Sequence, residues 1–326
     1  MDRSVCKGDR MRKFSSRASA LLVVGLCLVV TGCGQVGALQ AKLAFKDANT
    51  LYSGQDYRGA AVKYEEAIAA DPNLTEAYFF LGNSYDNLYR PARRGEAAND
   101  ELLTKAVSNY KRAAESAQDP KIRQLALEYL VAAYGADKLN DPAQQEPLVQ
   151  EMIKLNPNEP TNYFALAKIY EDNGDYEAAE QTFLKAKEVR PQEPTVYTQL
   201  AGFYNRQGDF DKTIVALQER AQREPNNPEA HHLIATYYWD KVYRDFRLPD
   251  TDKRKYIEAG IMSEDKAIEL KNDYFEAITY KNLLLRLQAN VEKDPARQQA
   301  LLREADRLRD HAQELRKKQQ AGAAGE

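Results

Sequence analysis

Large apolar side chains recur through the middle of the chain at intervals of 34 residues. Apolar residues three and four positions apart share one face of an α-helix. Each copy of the pattern therefore predicts an amphipathic helix with one buried face. Three successive copies occupy Tyr163, Leu166, Ala167 and Tyr170; Tyr197, Leu200, Ala201 and Tyr204; and His231, Ile234, Ala235 and Tyr238.

Polar and glycine-containing segments interrupt the pattern at the same interval. Gly174-Asp175-Tyr176 returns as Gly208-Asp209-Phe210, and Pro191 returns as Pro225. Glycine and aspartate end one helix and start the next, and proline stops the second. Each copy is therefore predicted to be a pair of helices, and neighbouring pairs are predicted to stack around a shared core. The expected fold class is all-α.

The repeated residues resemble the tetratricopeptide repeat (TPR), W-x2-L-G-x2-Y, then A-x3-F, then P. Gly82 keeps the family's glycine in Tyr78-x2-Leu81-Gly82-x2-Tyr85, whereas Tyr or His replaces the tryptophan. The resemblance implies a right-handed α-solenoid over residues 41–290, with about six clear repeats and one degenerate repeat. An earlier second helix shows Asp56-Tyr57, Ala60, Tyr64, Ala67 and Asp71-Pro72.

Two copies are longer than the others. Extra residues fall around Tyr89–Asp100 and around Asp240–Lys253, and we expect both to extend their helix pairs beyond the common layer. A solvated loop and a ridge that contacts a partner are both compatible with these insertions. Their basic side chains are Arg90, Arg93 and Arg94 in the first, and Lys241, Arg244, Arg247 and Lys253 in the second.

The C-terminal segment 291–318 is predicted to be a charged amphipathic helix, followed by a flexible tail at 319–326. Its apolar positions step by four and three residues: Leu301, Ala305, Leu308, Ala312 and Leu315. That spacing fits a coiled-coil seam. It also fits a helix that caps the last repeat with a polar outer face, as repeat arrays require. We favour the cap.

The N-terminus has the organisation of a secretory signal, expected to cover residues 1–32. A head with six basic side chains precedes an apolar run from Ala18 to Val30, and small residues follow it. The run is too short for an ordinary membrane-spanning helix, which needs about 20 residues. Met11 offers an alternative start, which would leave a signal of residues 11–32.

The residues Val30-Thr31-Gly32-Cys33 resemble the lipobox of bacterial lipoproteins. In that family the signal is cut between the residues corresponding to Gly32 and Cys33. The cysteine thiol carries diacylglycerol and the new amine is acylated, so Cys33 is the expected lipidation site. Cys27 is a poorer candidate because Leu26 is large for the cleavage slot. An ordinary signal peptide with an incidental cysteine is the alternative.

Cleavage would also change the charge of the chain. Residues 1–32 hold six basic and two acidic side chains, so the remainder carries 40 basic and 47 acidic groups, a net charge of −7. Cys33 would be its one cysteine, which excludes an intramolecular disulfide framework. Nucleic-acid binding is disfavoured as well, because the basic groups form no single stripe.

In the tetratricopeptide family, the first helix of each pair lines a groove that binds peptides or helices. The resemblance places eight residues near such a groove: Phe79, Asn83, Phe164, Lys168, Thr198, Asn205, His232 and Trp239. Phe79 and Phe164 are expected to turn outward, and a bound partner would explain an apolar group there.

Reactive groups are scarce. The chain has three histidines and lacks a G-x-x-x-x-G-K-[ST], an H-E-x-x-H and a G-x-S-x-G motif. Adjacent His231 and His232 would point about 100° apart on a helix, which is poor geometry for a metal. His231 is also expected to fill a core position. We therefore expect no enzyme, no cofactor and no metal site, although an enzyme with unrecognised residues is a third possibility.

The anchor and the repeats together favour a lipid-anchored scaffold of the bacterial cell envelope. It would bind envelope proteins during assembly or export, as in outer-membrane protein assembly or pilus biogenesis. A short tether at residues 33–40 would keep the repeats close to the membrane. Gly34 after the cysteine favours the outer membrane under the enterobacterial sorting rule. The alternative is an envelope subunit that captures polysaccharide or a hydrophobic ligand in the groove.

Overall fold

A computed structural model describes residues 36–323. Within that range the chain forms fourteen α-helices, one short 3-10 helix and no strand. This confirms the prediction of an all-α fold built from helix pairs. The signal segment, Cys33 and the cleavage position before it lie outside the described residues. Between residues 36 and 323, no helix is both long and apolar enough to cross a membrane.

The helices group into two compact units, Met1–Leu155 and Asn156–Glu326, here called unit 1 and unit 2. The described part of unit 1 contains three helix pairs: α1 (36–53) with α2 (Tyr57–Ala70), α3 (Thr75–Leu88) with α4 (Ala97–Ser116), and α5 (Pro120–Ala133) with α6 (Pro142–Leu155). The 3-10 helix Pro91–Arg93 lies between α3 and α4.

Four helix pairs form the described part of unit 2. They are α7 (Pro160–Asp172) with α8 (Tyr176–Val189), α9 (Pro194–Arg206) with α10 (Phe210–Arg223), α11 (Pro228–Arg244) with α12 (Asp250–Leu270), and α13 (Phe275–Val291) with α14 (Pro295–Ala323).

Aspartates and prolines define where the repeated helices begin. The side chains of Asp56, Asp175 and Asp209 accept hydrogen bonds from backbone N–H groups three residues later, at 2.9–3.0 Å. Each bond satisfies a donor that the first helical turn leaves unpaired. Proline occupies the start of α7, α9 and α11, where its missing N–H is not needed. The repeated polar segments therefore act as helix boundaries, as their spacing predicted.

The turn between α9 and α10 requires a glycine. Gly208 has φ +75°, a left-handed conformation that side chains disfavour. We expect Gly208→Ala to lower the free energy of unfolding by roughly 1–2 kcal/mol in urea titrations. Gly202→Ala is the matched control, because Gly202 lies inside α9 and alanine favours a helix by about 0.5–1 kcal/mol. Equal effects of the two substitutions would contradict this account of the turn.

Aromatic rings fill the core of unit 1. Tyr64 and Tyr110 are fully buried, and Tyr110 packs so closely on Gly82 that a Cβ there would lie 2.8 Å from the ring. Phe79 is also core, with 5% of its surface exposed. Its ring meets that of Tyr129 at 5.5 Å, nearly edge-on. The expectation that Phe79 turns outward was therefore wrong, because α5 of the next pair covers it.

Both insertions extend their helix pairs, as expected. In unit 1, the 3-10 helix is followed by a 20-residue α4. In unit 2, α11 continues to Arg244 and α12 spans 21 residues. The segment between α11 and α12 consequently projects beyond the length of the neighbouring repeat, whose helices have 13 and 14 residues.

The C-terminal helix is the second member of the last pair. Ala305 and Ala312 are buried, and Asp306 accepts a 2.6 Å ion-paired hydrogen bond from Arg286 of α13. The helix begins at Pro295 and continues to Ala323, so residues 319–323 are helical where a flexible tail was predicted. Small residues at the contact allow α14 to lie close to α13.

Candidate functional site

The first helices of the pairs carry all eight predicted groove residues. Two of these residues lie in unit 1, on α3, and six lie in unit 2, on α7, α9 and α11. The two faces are described separately.

Asn83 lies in a polar cluster of unit 1 and is 3% exposed. Its Oδ1 accepts hydrogen bonds from the Tyr52 hydroxyl at 2.6 Å and from Asn87 Nδ2 at 2.7 Å. The amide oxygen is therefore engaged within the fold, which gives Asn83 a structural part in joining α1 to α3.

A second polar contact in unit 1 joins α3 to α4 and to the turn between α5 and α6. Asp86 accepts a 2.5 Å hydrogen bond from Lys138 and a 3.3 Å bond from the Tyr110 hydroxyl. Burial, followed by the neighbouring Asp86 charge, raises the pKa of Tyr110 far above its ordinary range. A cavity of about 360 Å³ lies beside this cluster, lined by Asn83, Asp86, Asn87, Tyr89, Pro91, Tyr129 and Lys138. Its central charges are already paired, so this cavity offers a ligand little free charge.

A second cavity lies on unit 2. A cavity of about 320 Å³, the α11 cavity, is lined by Asn205 of α9, by Thr236, Tyr237, Trp239, Asp240 and Arg244 of α11, and by Tyr280 of α13. Two predicted groove residues, Asn205 and Trp239, meet here. Tyr280 was missed because the seventh repeat is degenerate in sequence, although α13 occupies the place of a first helix.

A row of aromatic rings runs past this cavity. The Trp239 indole stacks on Tyr243, with centroids 4.8 Å apart and an interplanar angle of 11°. Tyr280 packs edge-on against Trp239 at 5.4 Å, and His232 packs edge-on against Tyr280 at 5.2 Å. Such pairs are favourable beyond the area that they bury. The rings therefore hold one another in fixed orientations along α11 and α13.

His232 joins this row to a buried carboxylate. Its Nδ1 lies 2.9 and 3.1 Å from the two carboxylate oxygens of Glu264, which is fully buried on α12. Burial raises the pKa of Glu264 to about 7, and the contact with His232 opposes part of that shift. His232 was predicted near the groove, but its ring instead faces inward and is 13% exposed.

Sequence reasoning also missed Glu264, although its position gave a signal. The buried stripe of α12 steps through Ile257, Gly260, Glu264 and Ala267 at intervals of three and four. A carboxylate inside an apolar stripe requires a partner in the core. His232, 32 residues earlier, is that partner.

The other three predicted residues do not line the α11 cavity. Phe164 is half-buried against Phe183, with ring centroids 6.1 Å apart, so it does not turn outward as expected. Thr198 is half-buried and donates to the Pro194 carbonyl at 3.3 Å. Lys168 is exposed and forms an ion pair with Asp172 one turn away. Contacts within or between neighbouring helices account for each of these side chains.

An exposed ridge lies beside the cavity, where α11 ends and the insertion begins. Its apolar members are Tyr243, 64% exposed, and Phe246, 83% exposed. The basic side chains around them are paired: Lys241 with Asp245 at 3.1 Å, Arg247 with Asp245 at 3.8 Å, and Arg244 with Asp240. Three basic and two acidic side chains therefore surround the exposed rings, with one positive charge in excess.

The neighbouring histidine, His231, contacts the backbone of the preceding loop. His231 is half-buried, with Nε2 3.4 Å from the Pro225 carbonyl, so it fills its core position less completely than expected. In the described range 36–323, no three His, Cys, Asp or Glu side chains converge to hold a metal ion.

Comparison with known proteins agrees with this architecture. Residues 160–193 match the family model of the tetratricopeptide repeat. No curated protein sequence matches the chain significantly.

Solved structures are similar at low sequence identity. The C-terminal part of a TPR repeat-containing protein from Cytophaga hutchinsonii is 15% identical, with a TM-score of 0.54 over 81% of this chain and 95% of that one. YrrB, described as a TPR protein with an unusual peptide-binding site, is 19% identical, with a TM-score of 0.39 over 58% and 89%. A thermophilic TPR protein from Thermus thermophilus is 18% identical, with a TM-score of 0.36 over 60% and 98%.

The first of these similarities shows the fold alone, because its identity is below the level at which function transfers. The matched repeat and the seven helix pairs described between residues 36 and 323 agree with it. The chain therefore has the tetratricopeptide-repeat fold, and residues 160–193 match the model of that repeat.

Proposed function

We propose that this protein is a lipid-anchored scaffold of the bacterial cell envelope that binds other envelope proteins during their assembly or export. The repeat fold supports a protein-interaction scaffold. The lipobox-like residues before Cys33 support the anchor. Gly34 favours the outer membrane, with the repeats facing the periplasm.

The exposed ridge is the observation that carries the scaffold proposal. Phe246 and Tyr243 leave most of their surface in water at the tip of an insertion that the repeat fold does not need. Burying a phenyl group against a partner would contribute about 1.5–3 kcal/mol to binding, and the isolated chain does not gain this free energy. A peptide or helical segment of a protein partner would supply the missing cover.

The position of the first helix supports an anchor close to the membrane. The helix α1 includes residue 36, three residues after Cys33. Three residues of chain span at most about 10 Å. Acyl chains on Cys33 would therefore hold unit 1 near the bilayer and raise the effective concentration of membrane-bound partners.

Site-specific photocrosslinking in intact cells tests the scaffold. With p-benzoylphenylalanine in place of Phe246, we expect one dominant envelope-protein adduct, and Tyr243→Ala should reduce its yield at least fivefold. The same probe in place of Tyr176 is the matched control, because Tyr176 is a 51% exposed aromatic at the start of α8. The same adducts from both positions, or none from Phe246, would refute the ridge as the partner surface.

The anchor is tested independently by metabolic labelling with a palmitate analogue. Cys33→Ala is expected to abolish the label and to leave the precursor uncleaved, because in that family the cysteine is lipidated before the signal is cut. Ser53→Ala, in unit 1, should change neither result. Label that persists in Cys33→Ala would show that the assignment of the anchoring residue is wrong.

A further inference from the structure

The α11 cavity carries polar groups that the fold leaves unused. Within residues 36–323, the side-chain amide of Asn205, the indole N–H of Trp239 and the hydroxyls of Tyr237 and Tyr280 have no hydrogen-bond partner. These groups line one cavity and are therefore available for contacts outside the chain.

The same wall includes rings held in place by their neighbours. Trp239 is fixed by its stack on Tyr243 and by the edge contact with Tyr280. A ring that is already ordered loses little conformational entropy when a ligand packs on it. Its electron-rich face attracts the partially positive C–H groups of a saturated ring.

The polar groups include both donors and acceptors. The Trp239 indole donates only, the carboxylate of Asp240 accepts only, and the amide of Asn205 does both. Asp240 and Arg244 form an ion pair, so the cavity has no net charge of its own. A ligand that matches it is neutral, offers a saturated ring face and carries groups that both donate and accept.

We propose that the α11 cavity binds a neutral oligosaccharide built of hexose or N-acetylhexosamine units. A sugar presents C–H groups on its face and hydroxyls at its edge, and each hydroxyl donates and accepts. An extended proline-rich peptide also packs on aromatic rings, but its backbone only accepts, so it would offer no donor to the Asn205 amide oxygen. The volume of about 320 Å³ lies at the lower end of ligand sites. This proposal is independent of the protein partner at the ridge.

The protein contains its own reporter for this test. Trp239 is the one tryptophan in the chain, so tryptophan emission reports on this cavity. The full chain is titrated in detergent with cellohexaose, maltohexaose, hexa-N-acetylchitohexaose and decaproline. We expect a saturable change in emission with at least one hexasaccharide and none with decaproline.

Two conservative variants locate the binding. Asn205→Ala and Tyr280→Phe each remove one edge group and keep the rings, so each should weaken saccharide binding about three- to tenfold. Asn226→Ala is the matched control, because Asn226 is exposed in the loop before α11 and does not line the cavity. Its dissociation constant should equal that of the unmodified chain.

Three outcomes would overturn the proposal. One is an unchanged emission with all three hexasaccharides. Another is a response to decaproline alone, which would assign the cavity to an extended peptide. The last is saccharide binding that Asn205→Ala and Tyr280→Phe leave intact. None of these results bears on the crosslinks from Phe246, so this proposal and the scaffold proposal can fail separately.

Discussion

Replacing Tyr197 with alanine is expected to lower the free energy of unfolding of unit 2 by about 4 kcal/mol. The ring is fully buried, and its hydroxyl donates a 2.7 Å hydrogen bond to the Pro191 carbonyl. The Arg223 guanidinium lies 4.0 Å from the ring centroid, which adds a cation–π contact. Alanine removes all three interactions and leaves a cavity between adjacent helix pairs. Urea denaturation of the full chain, followed by circular dichroism, measures the loss.

Two controls separate the parts of this effect. Tyr197→Phe keeps the ring and removes one hydrogen bond to the Pro191 carbonyl, which still accepts from Arg223 Nε at 2.7 Å. We therefore expect a loss of at most about 1 kcal/mol. Tyr176→Ala truncates a tyrosine that is 51% exposed, and its effect should stay within about 0.5 kcal/mol. A similar loss for Tyr197→Ala and Tyr176→Ala would show that the repeat core is not packed as described.

Replacing Glu264 with glutamine is expected to make the protein more stable, relative to the unmodified chain, at pH 8 than at pH 5. Burial raises the pKa of Glu264 to about 7 from an unfolded value near 4.5. Between about pH 4.5 and pH 7, Glu264 keeps its proton in the folded state and has lost it in the unfolded state. The stability linked to this proton is complete below about pH 4.5 and is lost as the pH rises through about 7. The full difference corresponds to about 3 kcal/mol, and glutamine, which does not titrate, removes this pH dependence.

Thermal or urea unfolding of both proteins between pH 5 and pH 8 measures this difference. The groups that face Glu264 are His232 on α11, Asp265 on its own helix and Tyr274 before α13, and all of them remain in the variant. Glu269→Gln is the control, because Glu269 is an exposed carboxylate on the same helix. The difference in unfolding stability between the variant and the unmodified chain should change with pH. A difference that stays constant from pH 5 to pH 8 would contradict a buried Glu264 that keeps its proton.

The repeated part of the fold could be predicted because its information is local. Tyr163 and Tyr197 recur at one interval and make the same contact, each donating to a proline carbonyl six residues earlier. Asp175 and Asp209 likewise cap α8 and α10 within one helical turn. Interactions that span a few residues leave a periodic pattern, and a period can be recognised in one sequence.

The candidate site was only partly predictable, because its contacts join different repeats. Asn205 and Trp239 were expected at a groove, and both line the α11 cavity. Phe79 was also expected at the groove, but it is buried, because rings of the following helices cover it. Position within a repeat identifies the helix face, but the neighbouring repeat determines whether that face is open.

The amino-acid sequence by itself determined the helix pairs, their boundaries and the caps between them, because hydrophobic period and turn chemistry act over one or two helical turns. The tertiary structure alone decided that Glu264 meets His232, that Tyr280 closes the cavity beside Trp239, and that Phe246 stays in water. Each of these outcomes depends on which side chains the neighbouring helices place next to one another. The repeat period along the chain does not specify those contacts between helices.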